Sequence, residues 1–513
     1  MDVAGMIPVR TDVIVVGGGP TGLMVANELA LAGIGVVVLE RLAERSGQSK
    51  ALNLQPRTAE MFDLRGLMEP LRHSVHGTWG SGHFGGRPLS LAGWRTRHPY
   101  QVNIPQAGVE QALEERLAEQ GVHVSRGHEL IEFTHQDTGV TATVRSPTGV
   151  RRLRASYLVG CDGGRSTVRK QLGVAFPGTD ASRFAIAADV VLGTVPDTVP
   201  TRLRSVRDAI ATDKDGRRGS GGLIPLGRPG YYRLGFSDPD ARRQDQTEPV
   251  STAEVTAAAR RLYGDDLVIA EVRWASRFTN ATRQVERYRV DRVLLAGDAA
   301  HIHYPAGGQG LSLGIQDAMN LGWKLAAEVR GQAPAGLLDT YHAERHPVGA
   351  RVLANTRAQT LPPQPDPETL AMHGLITQLA ELPEANRYLA GMVSGLDIRY
   401  PMDGPGHPLL GSRLPDAELD VDGRSRWASD LFHTGRGVLL STDSRYPVAA
   451  KPWADRVVTA TVPKLPDLAA DAVLVRPDGY VCWIGASGDP VDNIVRLDSA
   501  LGDWFGRAAG IGT

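Results

Sequence analysis

The 513-residue chain has little with which to staple itself and almost no net charge. Its two cysteines, Cys161 and Cys482, are too few for a disulfide framework or a cysteine metal cluster, so both read as small core residues in a reducing compartment. A formal charge of −1 gives no whole-molecule field for nucleic acid or an anionic membrane, and any charge effect must be local. Met1 to Val9 lacks the basic and long apolar regions of a leader, and the first apolar run breaks at Gly17 to Gly19, well short of a membrane span. A cytoplasmic protein is expected. The sequence contains no internal repeat, no Gly-x-Ser-x-Gly elbow for a hydrolase and no Cys-x-x-Cys for thiol redox work. His301 and His303 stand two apart near Asp298, but no third ligand follows at a suitable spacing, so no metal is expected and a hydrogen-bonding role is read for both.

What the chain has instead is glycine, placed where apolar runs end. Thr11 to Val16 reads as a buried parallel strand, and Val16-Gly17-Gly18-Gly19-Pro20-Thr21-Gly22 follows it. Gly17 permits a tight turn, Gly19 lets backbone approach a pyrophosphate, and Gly22 lets the helix from Leu23 to Ala32 pack on the strand. That helix start favours phosphate charge. A second strand, Gly35 to Leu39, delivers Glu40 about 20 residues on, where a carboxylate accepts from a ribose 2′-hydroxyl and disfavours a 2′-phosphate. Two more clusters, Cys161-Asp162-Gly163 and Leu295-Ala296-Gly297-Asp298-Ala299-Ala300-His301, lie far downstream. The first cluster alone does not separate NAD from FAD, but all three in this order describe an extended FAD across a discontinuous domain.

The rest of the chain reads as several units, as its length requires. A helix over Arg57 to Leu67, a glycine-rich loop or short edge strands over Gly77 to Gly93, and a helix over Gln106 to Gln120 lead into strands near Val122 to Val124, Leu130 to His135 and Val140 to Val144. Tyr157 to Asp162 then returns to the cofactor sheet. From Phe184 to Phe278 the pattern is mostly strand, with one helix near Ala253 to Tyr263. After Arg292 the chain comes back, Leu311 to Val329 is a long helix, and the proline-rich Leu361 to Pro367 marks a boundary. Between them, Pro305 to Ser312 exposes successive backbone N–H groups before a helix, a preorganised anion site.

Glu40-Arg41, the run Cys161 to Arg169, and Arg292 to Leu325 carry a resemblance that covers residues 10 to 350. The chain resembles the class A flavoprotein aromatic hydroxylases, the family of para-hydroxybenzoate hydroxylase and phenol hydroxylase, and especially the polyketide hydroxylases of actinobacterial antibiotic pathways. The resemblance implies non-covalent FAD bound by Gly17, Gly19, Pro20, Thr21 and Gly22, by Glu40 and Arg41, and by Gln106 ahead of its helix. Asp162 would belong to a motif serving both FAD and the pyridine nucleotide, Gly297 and Asp298 would meet the ribityl chain, and Lys50 would bind or position the flavin. Pro305, Gly308, Gln309, Gly310 and Leu311 would face the flavin pyrimidine, where negative charge collects on reduction. Ala306 replaces the family's usual second proline and Ser312 its frequent asparagine, which puts one side-chain contact in doubt.

The implied fold is α/β: a discontinuous Rossmann-like FAD-binding domain over 1–180 and 279–400, with elements near 75–105 belonging to the substrate domain; an α+β substrate domain over 181–278 with a mostly antiparallel sheet; and a thioredoxin-like C-terminal domain over 401–513, with a packing or oligomerisation role. The implied reaction uses NADPH or NADH and dioxygen to hydroxylate an aromatic, polycyclic and polyketide-derived, through a flavin C4a-hydroperoxide. Baeyer–Villiger oxygenation is the alternative within the class, and a flavin-binding protein without turnover, or a plain NAD(P)H oxidase, the alternative outside it. Ile224, Pro225 and Phe236, with Ile186, Val190 and Leu223, are candidates for a dry substrate wall, or else ordinary sheet core. No catalytic base is nominated. The expected partners are the aromatic substrate, dioxygen and NAD(P)H, without nucleic acid or membrane; a homodimer is left open.

Overall fold

The computed structural model describes residues 8–197, 199, 201, 221–237, 248–360, 366–402, 404, 406–421, 423–465, 470–486 and 490–509. Met1 to Ile7 and the 361–365 part of the proline-rich boundary therefore lie outside the described residues.

β-Branched runs with no polar alternation are suited to strands covered on both faces, and such runs build the central sheet. Its order is Arg289–Val290, Val293–Leu295, Tyr157–Gly160, Val13–Val16, Val36–Glu40, Val124–Arg126. The last five are parallel, and Arg289–Val290 closes one edge antiparallel. The register sets Val16 beside both Gly160 and Leu39, so the first two glycine clusters emerge side by side from the carboxyl ends of neighbouring strands. Leu295 pairs with Gly160 and brings in the third. Helix Pro20–Leu31 crosses against the long helix Gly310–Val329. Gly322 on the long helix admits Glu28 where a methyl would strike its Cβ.

Beyond this sheet, Glu129–Gln136, Gly139–Ser146 and Gly149–Ala155 form an antiparallel meander; its third strand is not expected from the sequence, and the strand expected near Val122 to Val124 pairs instead with Val36–Glu40 in the central sheet. The chain leaves for the substrate sheet after Gly178–Thr179 and returns at Thr282–Gln284, and these strands pair with each other and with His301–Ile302. Both crossings are thus pinned beside the third cluster. The substrate sheet is antiparallel in the order Gly221–Pro225, Tyr231–Ser237, Phe184–Thr194, Val268–Thr279. Helix Thr252–Tyr263, closed by a Ser251/Glu254 capping box, covers one face. The glycine-rich Gly77 to Gly93 region forms strands Gly77–Trp79, Ser81–Phe84 and Arg87–Ser90. Phe84, Leu89 and Leu91 pack on Ala390 and Val393 of helix Pro383–Ser394.

In the C-terminal part, Gly437–Ser441 and Val457–Thr461 are parallel across helix Arg445–Ala450, Ala470–Val475 and Val481–Ala486 add antiparallel, and helix Pro490–Phe505 follows. This strand order is thioredoxin-like. Asp478 and Gly479 turn the last hairpin, with Gly479 at φ +81°. The unit is not a separate globule: Leu419, Val438, Tyr480 and Ile484 join the same apolar cluster as Ile14, Leu23 and Ile315. Among the described residues no helix is long and apolar enough to cross a membrane.

Candidate cofactor and substrate site

The first turn is made by contact. Gly17 has φ +109°, and a Cβ there would enter the Cys161 carbonyl; one on Gly22 would enter the Gly17 carbonyl. Gly19 faces open space, and as N-cap of Pro20–Leu31 it has no side-chain cap. Glu40 stands behind this turn, accepting from Gly18 N at 2.8 Å and Leu42 N at 2.9 Å. Thr21 fits against Gly297 and Gly314, neither of which could carry a methyl beside its hydroxyl, so the first and third clusters are in contact.

Asp162, expected from the resemblance to belong to a motif serving FAD and the pyridine nucleotide, has its carboxylate turned to its own loop. Its carboxylate accepts from Ser166 Oγ at 2.5 Å, Thr167 N at 2.6 Å and Val168 N at 3.2 Å. It therefore shapes the start of helix Thr167–Leu172, whose N-cap Ser166 accepts from Arg169 N. Arg169 ties that loop onward, donating to Gly164 O at 2.8 Å and Ala299 O at 3.0 Å. Asp298, in contrast, is exposed and has no hydrogen-bond partner among the described residues.

Gln106 turns its amide back on its own surroundings, accepting from Ala51 N at 3.2 Å and donating to Glu110 Oε1 at 2.8 Å. Burial raises the Glu110 carboxyl; Gln106, Arg126 and Arg45 oppose that shift, and Glu40 adds to it. Arg41 and Lys50 are exposed. The Lys50 carbonyl accepts from Arg233 Nη1 at 3.4 Å, which joins this loop to the substrate sheet.

The second turn, Pro305 to Gly310, has Gly307 at φ +71° and Gly308 at φ +63°. It opens helix Gly310–Val329 with Gln309 as N-cap and no side-chain cap. Leu311 is half-buried beside it. Residues not anticipated from the sequence back it. Gln55 Nε2 donates to Gly307 O at 2.6 Å, Gln101 Nε2 to Gln55 Oε1 at 3.2 Å, and the Asn53 amide lies where a Gly308 Cβ would go. Ser312 accepts from Gln55 N at 3.1 Å, so the departure at this position has its own contact. Burial lowers the His303 imidazole, outweighing the Tyr304 carbonyl and Asp298, so it is neutral at pH 7. His301 is fully enclosed with Nε2 2.7 Å from Asp317 Oδ2. No group of His, Cys, Asp and Glu among the described residues is arranged to hold a metal.

Strand alternation divides the substrate-wall candidates. Ile186, Val190, Leu223 and Phe236 pack with Val255, Ala258 and Leu262 on the helix side. Pro225, paired with Tyr232, shares that side. Phe236 is thus sheet core, because its position in the pleat turns it to Thr252–Tyr263. Ile224 lies on the opposite side with Arg233, Asp189 and Trp274. Arg233 there binds buried Asp189 at 2.5 and 3.0 Å and stacks over Trp274 at 4.8 Å. On the same side Phe278 meets Tyr304 at 5.9 Å between ring centres, so this face borders the second turn.

The residues fit FAD on physical grounds. Among the described residues, two uncapped helix starts, a glycine facing open space, an unbonded acid at Asp298 and the buried Asn53 Nδ2 without a partner leave donors and acceptors for a ligand. A parallel sheet with three glycine turns at its carboxyl ends defines a dinucleotide-binding flavoprotein architecture.

Comparison with known proteins gives the class its chemistry. Residues 10–356 match the FAD binding domain family and residues 407–508 the aromatic-ring hydroxylase C-terminal family. The chain is 46% identical over 513 residues to the 12-dehydrotetracycline 5-monooxygenase/anhydrotetracycline 6-monooxygenase of Streptomyces rimosus, covering 98% of this chain and 100% of that protein. It is 44% identical to the rifampicin monooxygenase of Streptomyces venezuelae, over 97% of this chain and 99% of that one. The solved structure of CabE, an aromatic hydroxylase from angucycline biosynthesis, superimposes with a TM-score of 0.85 at 45% identity, over 97% of this chain and 99% of CabE. The chain belongs to the FAD-dependent aromatic-ring hydroxylases and is a monooxygenase of that family.

Proposed function

We propose that this monooxygenase hydroxylates a polycyclic, polyketide-derived aromatic lying between the Pro305–Gly310 turn and the helix-free face of the substrate sheet. The observation that carries this reading is the surface of that face. Ala187, Gly222, Gly235 and Ser276 form a row of small residues, bounded on one side by Ile224, the buried Arg233–Asp189 pair and Trp274 and on the other by Phe278, a flat floor suited to fused rings. The relatives named for anhydrotetracycline, rifampicin and angucycline biosynthesis support the same substrate class.

FAD, when bound, accepts a hydride from NADH or NADPH and reduces dioxygen, delivering one oxygen atom to the ring and the other to water. The chain's own residues do the rest. Gly17, Gly19, Pro20, Thr21 and Gly22 hold the pyrophosphate, Glu40 the adenosine ribose, and Gly297 with Asp298 the ribityl chain. Arg41, Lys50 and Gln106 flank the cofactor. Pro305, Gly308, Gln309, Gly310 and Leu311 offer the flavin ring backbone donors where negative charge gathers. Asp162, with its oxygens spent on Ser166, Thr167 and Val168, shapes the loop. Ile224, Trp274 and Phe278 exclude water, while Pro225 and Phe236 support them from behind. We divide the chain into 1–180 with 279–400, 181–278 and 401–513, and place it in the cytoplasm where NAD(P)H is supplied; sedimentation distinguishes a monomer from a homodimer.

The deciding experiment supplies labelled dioxygen, NADPH or NADH, and matched multi-ring and single-ring phenols. One labelled oxygen in the multi-ring product, with one reduced nicotinamide consumed, is expected. Coupled turnover confined to single-ring phenols would remove the polycyclic class, and hydrogen peroxide as the sole product would remove oxygen transfer.

A further inference from the structure

Asp317 has no exposed surface and takes three donors: Gly297 N at 3.2 Å, His301 Nε2 at 2.7 Å and Arg345 Nε at 2.8 Å. The first two share one oxygen. Arg345 is equally enclosed, and it donates from Nη1 to the Tyr400 hydroxyl at 3.1 Å and from Nη2 to Leu313 O at 3.4 Å. Tyr400 lies against Tyr480 at 4.3 Å between ring centres, and the Arg57 guanidinium stacks on Tyr480 at 4.8 Å while donating to Asp478 O at 2.8 Å. A continuous set of contacts therefore links the Gly297 loop to the hairpin of the C-terminal unit.

A second buried cluster lies one to two turns further along helix Gly310–Val329. There Lys324 and Arg476 both meet Glu344, at 2.8 and 2.5 Å, and Arg476 also meets Asp478 at 2.5 Å. No member of it bonds the Gly297 loop. The two clusters have similar burial and meet where Arg476 lies over the Tyr400 ring at 5.2 Å, but among the described residues only the first holds a side-chain hydrogen bond to the Gly297 loop.

Buried ion pairs are weak sources of net stability, because desolvation offsets their attraction; what they supply is position. Only a carboxylate can accept from three donors at once, since an amide in its place turns one end into a donor. With Asn at 317, either Arg345 meets an N–H or the Gly297 amide loses its acceptor. We propose that Asp317, oriented by Arg345 and Tyr400, is the positioning residue of the Gly297–Asp298 loop, so that the C-terminal part of the chain sets how tightly the cofactor is held. The affinity half of this inference rests on the reading that Asp298 meets FAD.

The test uses apoprotein and added FAD, with amide hydrogen exchange over residues 296–300 read before FAD is added. Asp317→Asn should exchange faster over that segment and bind FAD about tenfold more weakly, the loss of roughly one charge-assisted hydrogen bond. Tyr400→Phe, which keeps the core packing, should move both readings in the same direction by about two- to threefold, less than Asp317→Asn because Tyr400 orients Arg345 and does not itself bond the loop. It decides the matter if Asp317→Asn does not fold. Glu344→Gln, a carboxylate of like burial in the second cluster, should lower the apoprotein melting temperature and leave both readings where they were. FAD affinity falling in all three variants in proportion to melting temperature would overturn the proposal, as would unchanged exchange in Asp317→Asn and Tyr400→Phe. Asp298→Ala with undiminished FAD affinity would count against the cofactor contact alone, because the exchange measurement is made without cofactor.

Discussion

Behind the Gly17 turn stands a carboxylate; behind the Gly307 turn stand the neutral amides of Asn53, Gln55, Gln309 and Gln359. Both turns open long helices without side-chain caps, so both present the same partial positive charge. Glu40 draws the Gly18 amide backward and adds a negative charge that prefers hydroxyl donors over a further phosphate. The amides packed on the second turn compensate nothing, and its field stays available for charge arriving on a ligand. The same backbone device is thus made selective by the side chains that pack on its back.

The comparison breaks most completely at Gly22. Gly22→Ala drives a methyl into the Gly17 carbonyl and toward Cys161 Cβ, an overpacking of about 1–3 kcal/mol that also displaces the turn. Protein purified without flavin is the expected result, read from the flavin-to-protein absorbance ratio.

The Glu344 carboxylate sharpens the contrast between acids that meet ligands and acids that meet only protein. Burial raises it, but Arg476 and Lys324 outweigh burial and hold it at about 2. Its folded value lies below the unfolded one, so the stabilisation is present above the ordinary carboxyl range and is lost as pH falls toward 2. At about 1.4 kcal/mol per unit this amounts to roughly 3 kcal/mol. Thermal melts of the apoprotein between pH 5 and 2 should show this acid limb, and Glu344→Gln should flatten it; a slope unchanged in the variant would assign the acid lability elsewhere.

Gly310→Asp puts into the second turn the charge that the first already has. The nearest atom to its Cβ would be His303 Nε2 at 3.6 Å, an ordinary contact, so the protein should fold. Reduced flavin should be disfavoured by about 1 kcal/mol, seen as a lower potential in dye equilibration. An unshifted potential would mean that the flavin ring lies elsewhere.

The smallest expected effect separates the two faces of the substrate sheet. Ile224→Ala should raise KM for a multi-ring phenol with little change in melting temperature, whereas Phe236→Leu should cost about 1 kcal/mol of stability and leave KM unaltered. The reverse pattern would exchange the roles of the two faces.

The glycine turns, the strands that feed them and the thioredoxin-like strand pattern were legible in the sequence because each is a local requirement. The facing of Ile224 and Phe236 was not, since both strand neighbours are apolar or small and the pattern Gly222-Leu223-Ile224-Pro225-Leu226 gives no alternation to read. The Asp162 role was partly legible: a carboxylate followed by Ser166-Thr167 is a helix-start signal. Gln55, Asn53, Asp317 and Arg345 carried no signal, because their partners lie far off in sequence, as with Gln55 and Gly307 or Arg57 and Asp478.

The strand pairing also dictates an order of birth. Val13 must wait for Tyr157, and Leu158 for Val293, before the sheet is complete. At synthesis rates of about 5–20 residues per second that interval is roughly a quarter of a minute to a minute, during which apolar strand edges stand open. On the proposed assignment, flavin cannot be gripped by all three turns until the last has left the ribosome. Even then Glu344 and Lys324 await Arg476. A chain cut before that arginine would carry every residue proposed to meet the cofactor and still bury an acid and a base without their third partner, so on that assignment cofactor loading belongs to the finished chain.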